Sequence, residues 1–383
     1  MLGYSLPSGT VPEGQSANPD YLSVFARPFA PSPTLRPGAP GGACAGLSEA
    51  VGKGMLGMWA QAVAARNSGA DAGTMAGQIL CVGALTLDST YRLPQLPSAA
   101  RKYLADARVE ACAGMATSAA IAIARLGGSA RLWASVGDDP TGVSLLAALD
   151  AAGIDRRDVR RIALCPSAAA TILVDAAGER IVVVHYPEAI TSPPAAVPDL
   201  SCVACVLVDA RWPAAAALAL DAARQAGLPA ILDADTAPLA VLEDLAGRAS
   251  HILASRDGAA VLTGQDDPHR ALALLARRYP AFVLVTDGAR GCFSARSPDA
   301  PILHTPAPQV EAVDTNAAGD VFHGAFALAL AEGQDLGAAA RFAVYAAALK
   351  CTRLGGAQGT PSRDELKTAL AISTKAAQGD CST

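Results

Sequence analysis

Six short apolar runs, at residues 79–82, 130–134, 204–208, 230–233, 251–253 and 282–285, recur down the chain with alanine-rich helical stretches between them. A strand that is apolar at nearly every position has both faces buried. Helical stretches between successive strands let the chain return and start the next strand in the same direction. The pattern predicts an α/β fold: a doubly wound, mostly parallel sheet sandwiched by helices. With 51% hydrophobic residues but only 4% aromatic ones, its core must be built from Ala, Val, Leu and Ile. One part departs from the pattern. Residues 170–174, an Asp-Ala-Ala-Gly turn at 175–178 and residues 180–184 read as an antiparallel hairpin. Together with residues 89–93 and 102–111 it predicts a small β-sheet standing off the main one, a lid drawn from about 89–111 and 170–185.

A chain of 383 residues has room for one large domain or two medium ones. Residues 1–75 are dominated by Pro, Gly, Ser and Ala and are expected to be a disordered, low-complexity extension. Within it, 52–66 could form a short helix but lacks the features of a secretory signal. A targeting extension, an unstructured tail and a native start at Met75 are all open readings. The folded domain is expected over 76–372, with a flexible tail at 373–383. A net charge of −5 and the absence of any Lys/Arg run argue against a nucleic-acid partner. No apolar stretch has membrane-spanning length, so a soluble protein is expected. Cys202 and Cys205 have the spacing of a metal or redox pair, but they border an apolar run and no second pair follows at zinc-site spacing. Buried free thiols in a reducing cytoplasm are the expectation.

The chemistry concentrates at residues 313–320, Val-Asp-Thr-Asn-Ala-Ala-Gly-Asp, which run into an apolar helical pattern. Small residues at Ala317, Ala318 and Gly319 would let an anion approach the main chain, where a helix N-terminus presents unpaired N–H groups and the positive end of its dipole. Asp320 would repel such an anion, which makes no sense for a binding site alone. It does make sense where an attacking alcohol must lose a proton to a nearby base. The competing reading is that Asp320 simply caps the helix.

Taken together, these segments resemble the ribokinase (PfkB) family of carbohydrate and nucleoside kinases over residues 79 to about 370. The family's Asp-Thr-x-Gly-Ala-Gly-Asp motif is similar to 314–320, with Ala317 in place of the first Gly; its Gly-Gly and helix motif is similar to 113–127, with Ala113 and Ser118 in place of Gly and Asn. The resemblance implies a ribokinase-like fold, ATP and Mg²⁺ as cofactors, and a primary hydroxyl of a small sugar as acceptor; a nucleoside kinase of the same fold and a catalytically silent sugar- or nucleotide-binding protein are the alternatives. It implies Asp320 as base, the amides of Ala317, Ala318 and Gly319 around the transferring phosphoryl group, and Asp88, Gly114 and Ser118 as sugar contacts. Asp88 also reads as a cap of a turn. The nucleotide is expected near Thr286, Gly288, Gly291 and Gly355, and K⁺ near Asp314. Relatives' Asn-x-x-Glu is replaced by Ser-Arg-Asp-Gly at 255–258, so Asp257 is either a metal carboxylate or part of a surface turn. This departure, and Asp-Ala-Arg-Trp-Pro at 209–213, resemble the ketohexokinase-like and sulfofructose-kinase-like members. Arg211 either pairs with an anionic group on the substrate or packs as cover against Trp212. In relatives the lid can be a homodimer interface.

Overall fold

The computed structural model describes residues 77–176 and 178–379. The chain enters the main sheet with β1 (Gln78–Val82), leaves it for β2 (Thr86–Arg92) and β3 (Ala107–Ala113), and returns through α1 (Met115–Arg125) to β4 (Ala130–Trp133). Next come β5 (Ser135–Gly137), α2 (Pro140–Ala151) and β6 (Arg160–Ile162), then a hairpin of β7 (Ala169–Val174) and β8 (Arg180–His185). From β9 (Val203–Val208) the alternation is regular, through α3 (Pro213–Gln225), β10 (Ala230–Ala234), α4 (Leu239–Arg248), β11 (His251–Ser255), α5 (Arg256–Thr263), α6 (Pro268–Arg278) and β12 (Phe282–Thr286). Strands β13 (Cys292–Ala295) and β14 (Leu303–Thr305) precede the last three helices, α7 (Ala318–Ala331), α8 (Leu336–Cys351) and α9 (Arg363–Gly379).

The eight-stranded sheet has the order β14-β13-β12-β11-β10-β9-β1-β4, parallel except for the antiparallel β13 and β14. All six apolar runs became strands of it. Period-two alternation persists inside them with both faces buried: Ile79 and Cys81 pack toward α1, α7 and α8, while Leu80 and Val82 pack toward α3, α4 and α6. Small residues let these layers close tightly. At Gly324 of α7, a Cβ would stand 2.5 Å from the carbonyl oxygen of Ala119 in α1. Because β1 lies between β4 and β9, the winding reverses there and opens a crevice at the C-terminal ends of β1 and β9, where doubly wound sheets bind ligands.

The second sheet has the order β3-β2-β7-β8 and is wider than the expected lid segments. Asp88, expected where a main-sheet strand ends, lies inside β2 opposite Ala111 and Ala170, because the chain leaves the main sheet at Val82. The antiparallel strands β13 and β14 were not anticipated, being only four and three residues long. The expectations for residues 1–75 fall outside the described residues. Helix α9 continues to Gly379, into the stretch expected as a tail. Cys202 is exposed, not buried as expected, because β9 begins one residue later; Cys205 is buried, and both are free thiols. No helix among the described residues is long and apolar enough to cross a membrane.

Candidate active site

Helix α7 begins without a side-chain cap. Its N-cap is Ala317, in the left-handed region at φ 60° and ψ 14°. Elsewhere α2, α5, α6 and α8 are capped by Asp139, Ser255, Asp267 and Asp335, and the Ala116 amide at the start of α1 is taken by Asp209. Asp320 is therefore not the cap. It is the third residue of the helix, within the first turn, and the Val321 amide closes back onto the Ala317 carbonyl at 2.9 Å. The Ala318 amide is drawn toward the Thr315 carbonyl at 3.3 Å, so the first-turn donors with no intrahelical acceptor are Gly319 and Asp320, one residue later than the motif alone suggested. A Cβ at position 317 is accommodated at a conformational cost of about 1–2 kcal/mol.

Asp320 is partly exposed at the surface of a strongly acidic neighbourhood. Desolvation is the main reason its carboxyl is held above the usual carboxylate range; the Asp233, Asp209 and Asp235 carboxylates push the same way, and His323 pulls it down. His323, one turn further along α7, places Nδ1 2.9 Å from Oδ2 of Asp233 at the end of β10, with both side chains buried. Burial is the largest influence and favours neutral imidazole, but the Asp233 carboxylate, with Asp320 and Asp235, outweighs it and holds the histidine above its ordinary pKa. The result is a buried histidine–aspartate pair one turn along the helix from the candidate base.

The crevice itself is tied together by Asp209. This buried carboxylate accepts the amides of Ala84 (2.8 Å), Ala116 (3.0 Å) and Arg211 (2.8 Å), joining the end of β1, the start of α1 and the turn after β9. Desolvation pushes it up to about 6 despite those three donors. Gly83 is needed beside it, since a Cβ there would fall 2.2 Å from the carboxylate. Asp88 accepts from Thr86 Oγ1 at 2.6 Å and is held above its usual range, mainly by desolvation. Gly114 is the N-cap of α1, and Ser118 is buried in its first turns. Arg211 donates to the Thr236 carbonyl at 2.8 Å and lines a recess with Ser135, Tyr186, Thr191 and Trp212. The Tyr186 hydroxyl feels the charges of Asp209, Arg211, Asp88 and Asp320, so the structure brings these predicted groups into one neighbourhood.

The predicted nucleotide-side residues are more dispersed. Thr286 ends β12, and Gly288 (φ 53°) opens the turn after it. Gly291 serves close packing: a Cβ would stand 2.1 Å from the Thr305 carbonyl oxygen. Residues 255–258 form neither a surface turn nor a gathered metal site. They are the capped start of α5, with Ser255 Oγ bonded to Asp235 at 2.8 Å and Asp257 exposed. No three His, Cys, Asp or Glu side chains converge as metal ligands among the described residues. Asp235 is engaged by Ser255 and lies 3.6 Å from the Arg211 guanidinium. Gly355 donates to Asp314 Oδ2 at 3.1 Å, and the oxygens of Asp314 expected to face a cation instead face the ammonium of Lys350.

Sequence reasoning quoted Asp209 only within the segment at 209–213, with no role, and missed Asp233, His323, Tyr186 and Lys350 as site residues. A charged residue isolated in an apolar run was the available signal for Asp233 and Lys350; nothing local marked the others.

A doubly wound sheet with an uncapped helix start, small residues around it and a carboxylate in its first turn suits a phosphoryl-transfer enzyme of the α/β class. The chain belongs to the pfkB family of carbohydrate kinases, whose family model matches residues 76–363. It is 30% identical to ribokinase of Bacillus subtilis over 298 residues, 76% of this chain and 99% of that protein. A solved structure from Agrobacterium tumefaciens with a provisional ribokinase assignment is 43% identical, with a TM-score of 0.76, covering 78% of this chain and 99% of that one. Arabidopsis thaliana ribokinase, solved with ribose and ATP, shares the fold at 22% identity and a TM-score of 0.66, covering 78% of this chain and 99% of its own. The protein is an ATP-dependent kinase of the sugar and nucleoside kinase family.

Proposed function

We propose that the chain transfers the γ-phosphoryl group of ATP to a primary hydroxyl of a small ketose or related sugar. The observation that carries this reading is Asp320, in the first turn of an uncapped helix and held above the usual carboxylate range among three other carboxylates. The sugar oxygen forms the new P–O bond as the bond from the γ-phosphorus to the β–γ bridging oxygen breaks, and the hydroxyl proton passes to Asp320. Amides at the start of α7 take the charge that builds on the phosphoryl oxygens. Mg²⁺, when bound, neutralises nucleotide phosphate charge.

Asp88, Gly114 and Ser118 are the proposed sugar contacts, with Arg211 reading an anionic substituent across the recess. Asp88 supports this reading because a desolvated carboxylate is best satisfied by substrate hydroxyls, and an analogue lacking them would leave it unpaired. The second sheet is proposed as a lid that excludes water as a competing nucleophile. Strand β8, an edge strand with all six residues exposed, including Ile181, Val182, Val183 and Val184, suits a homodimer contact through that lid. The test is ADP release from Mg-ATP against ketoses, aldoses, sulfonated and phosphorylated sugars and nucleosides, with Asp320→Asn alongside. We expect turnover with one sugar class, lowered about 100-fold or more by the substitution while ATP binding persists. Turnover unchanged by Asp320→Asn would remove it as the base; turnover confined to nucleosides would overturn the sugar assignment.

A further inference from the structure

Asp314 opens the loop that leads into α7, and every polar atom it offers is engaged. Its amide and that of Val313 donate to the Cys351 carbonyl at 3.0 and 2.8 Å. Oδ1 accepts the Asn316 amide at 2.8 Å, and Oδ2 accepts the amides of Gly355 and Gly356 at 3.1 and 3.0 Å. Into the remaining space comes Lys350, in the last turn of α8 and wholly buried, with Nζ 2.6 Å from the Asp314 carbonyl oxygen and 3.2 Å from Oδ2.

A carboxylate oxygen, a main-chain carbonyl and the negative end of a helix dipole are what a monovalent cation would bind. Here those oxygens coordinate an ammonium group that carries the same charge and is covalently tethered. A second cation on the same oxygens would face that charge at close range inside the protein, where screening is weak. The residues around Asp314 therefore do not fit K⁺.

We propose that Lys350 is a built-in replacement for the monovalent cation: its ammonium pins the loop at 314–320, which leads into the anion-binding start of α7, to the turn at Gly355 and Gly356. Nucleotide binding and turnover are then indifferent to K⁺. The turnover half rests on the kinase reading above; the binding half does not. Lys350 acts through the loop and touches no reacting atom, so it is a positioning residue.

The experiment measures Mg-ATP and ADP affinity by calorimetry, and turnover with whichever sugar proves active, in potassium, sodium and tetramethylammonium chloride at equal ionic strength. For the wild type we expect both quantities to agree within about twofold across the three salts. Activation or tighter nucleotide binding by K⁺ of fivefold or more would overturn the proposal. In Lys350→Met we expect nucleotide affinity to fall at least tenfold in tetramethylammonium and to return when K⁺ is supplied. A variant unaffected in tetramethylammonium, or impaired but not rescued by K⁺, would also overturn it. Should Lys350→Met fail to fold, the wild-type salt series decides alone. Should no sugar be phosphorylated, the sugar assignment fails separately while the calorimetric arm still stands.

Discussion

Gly114→Ala is a sharp test of how the crevice is built. Gly114 has φ 102° and ψ 146°, a region essentially closed to residues with a side chain, and forcing alanine into it costs about 1–3 kcal/mol. The new Cβ would lie 2.5 Å from the Ala84 carbonyl oxygen and 2.7 Å from its carbon. That carbonyl cannot easily move away. It accepts the Thr117 hydroxyl at 2.7 Å and the Thr117 amide at 3.3 Å, while the Ala84 amide is held by Asp209 at 2.8 Å. Overpacking against fixed main chain adds roughly 1–3 kcal/mol, for a total of about 4 kcal/mol. Gly127→Ala is the control: φ is 80°, but nothing lies within 4 Å of the added carbon, so only the backbone term remains, about 1 kcal/mol. Urea unfolding, followed through the buried pair Trp133 and Trp212 with ring centroids 5.3 Å apart, would report both midpoints at a shared slope. Sugar kcat/KM should fall with Gly114→Ala and not with Gly127→Ala, because the start of α1 positions Ser118. If the two variants lost stability equally, the Ala84 carbonyl would not be fixed and the account of the crevice would be wrong.

Two further outcomes are expected. Asp320 must be ionised to accept a proton and its pKa is raised, so kcat should climb with pH through a midpoint above the usual carboxylate range. His323→Gln removes the one neighbouring group that pulls this value down and should move that limb to higher pH; a pH profile that stays in place would separate His323 from the base. The stability that His323 adds through Asp233 should be fully present below the ordinary histidine pKa and be lost as pH rises through its raised value, read as a fall in Tm absent from the variant. Arg211→Met should raise KM about tenfold or more for an anionic sugar with kcat within about twofold, and equal losses on neutral and anionic sugars would return Arg211 to packed cover.

The main sheet was legible because a strand buried on both faces must be apolar nearly throughout, whatever surrounds it. Strands β13 and β14 were not legible: the antiparallel edge is short, and Leu303 and His304 of β14 are exposed. Nothing local marked which sheet Asp88 joins, because the chain leaves the main sheet at Val82 and restarts in β2 only at Thr86. In the site, the motif at 314–320 was readable because its function depends on neighbours in sequence: small residues, then a helix start, then a carboxylate. Even there, only the structure excluded Asp320 as the cap, by placing Ala317 in that position.

The chain by itself determined the layered α/β class, the helix start with its small residues and carboxylate, and the family, since each rests on local periodicity or on contiguous residues. Tertiary structure alone decided the electrostatics. Asp209, Asp233 and Asp320 come from β9, β10 and α7 and share one neighbourhood only because adjacent parallel strands end side by side beneath that helix. Lys350 follows the same logic. In an alanine-rich helix a lone lysine ordinarily faces water, and it is the docking of the Asp314 loop over the last turn of α8 that buries its charge and gives it a partner.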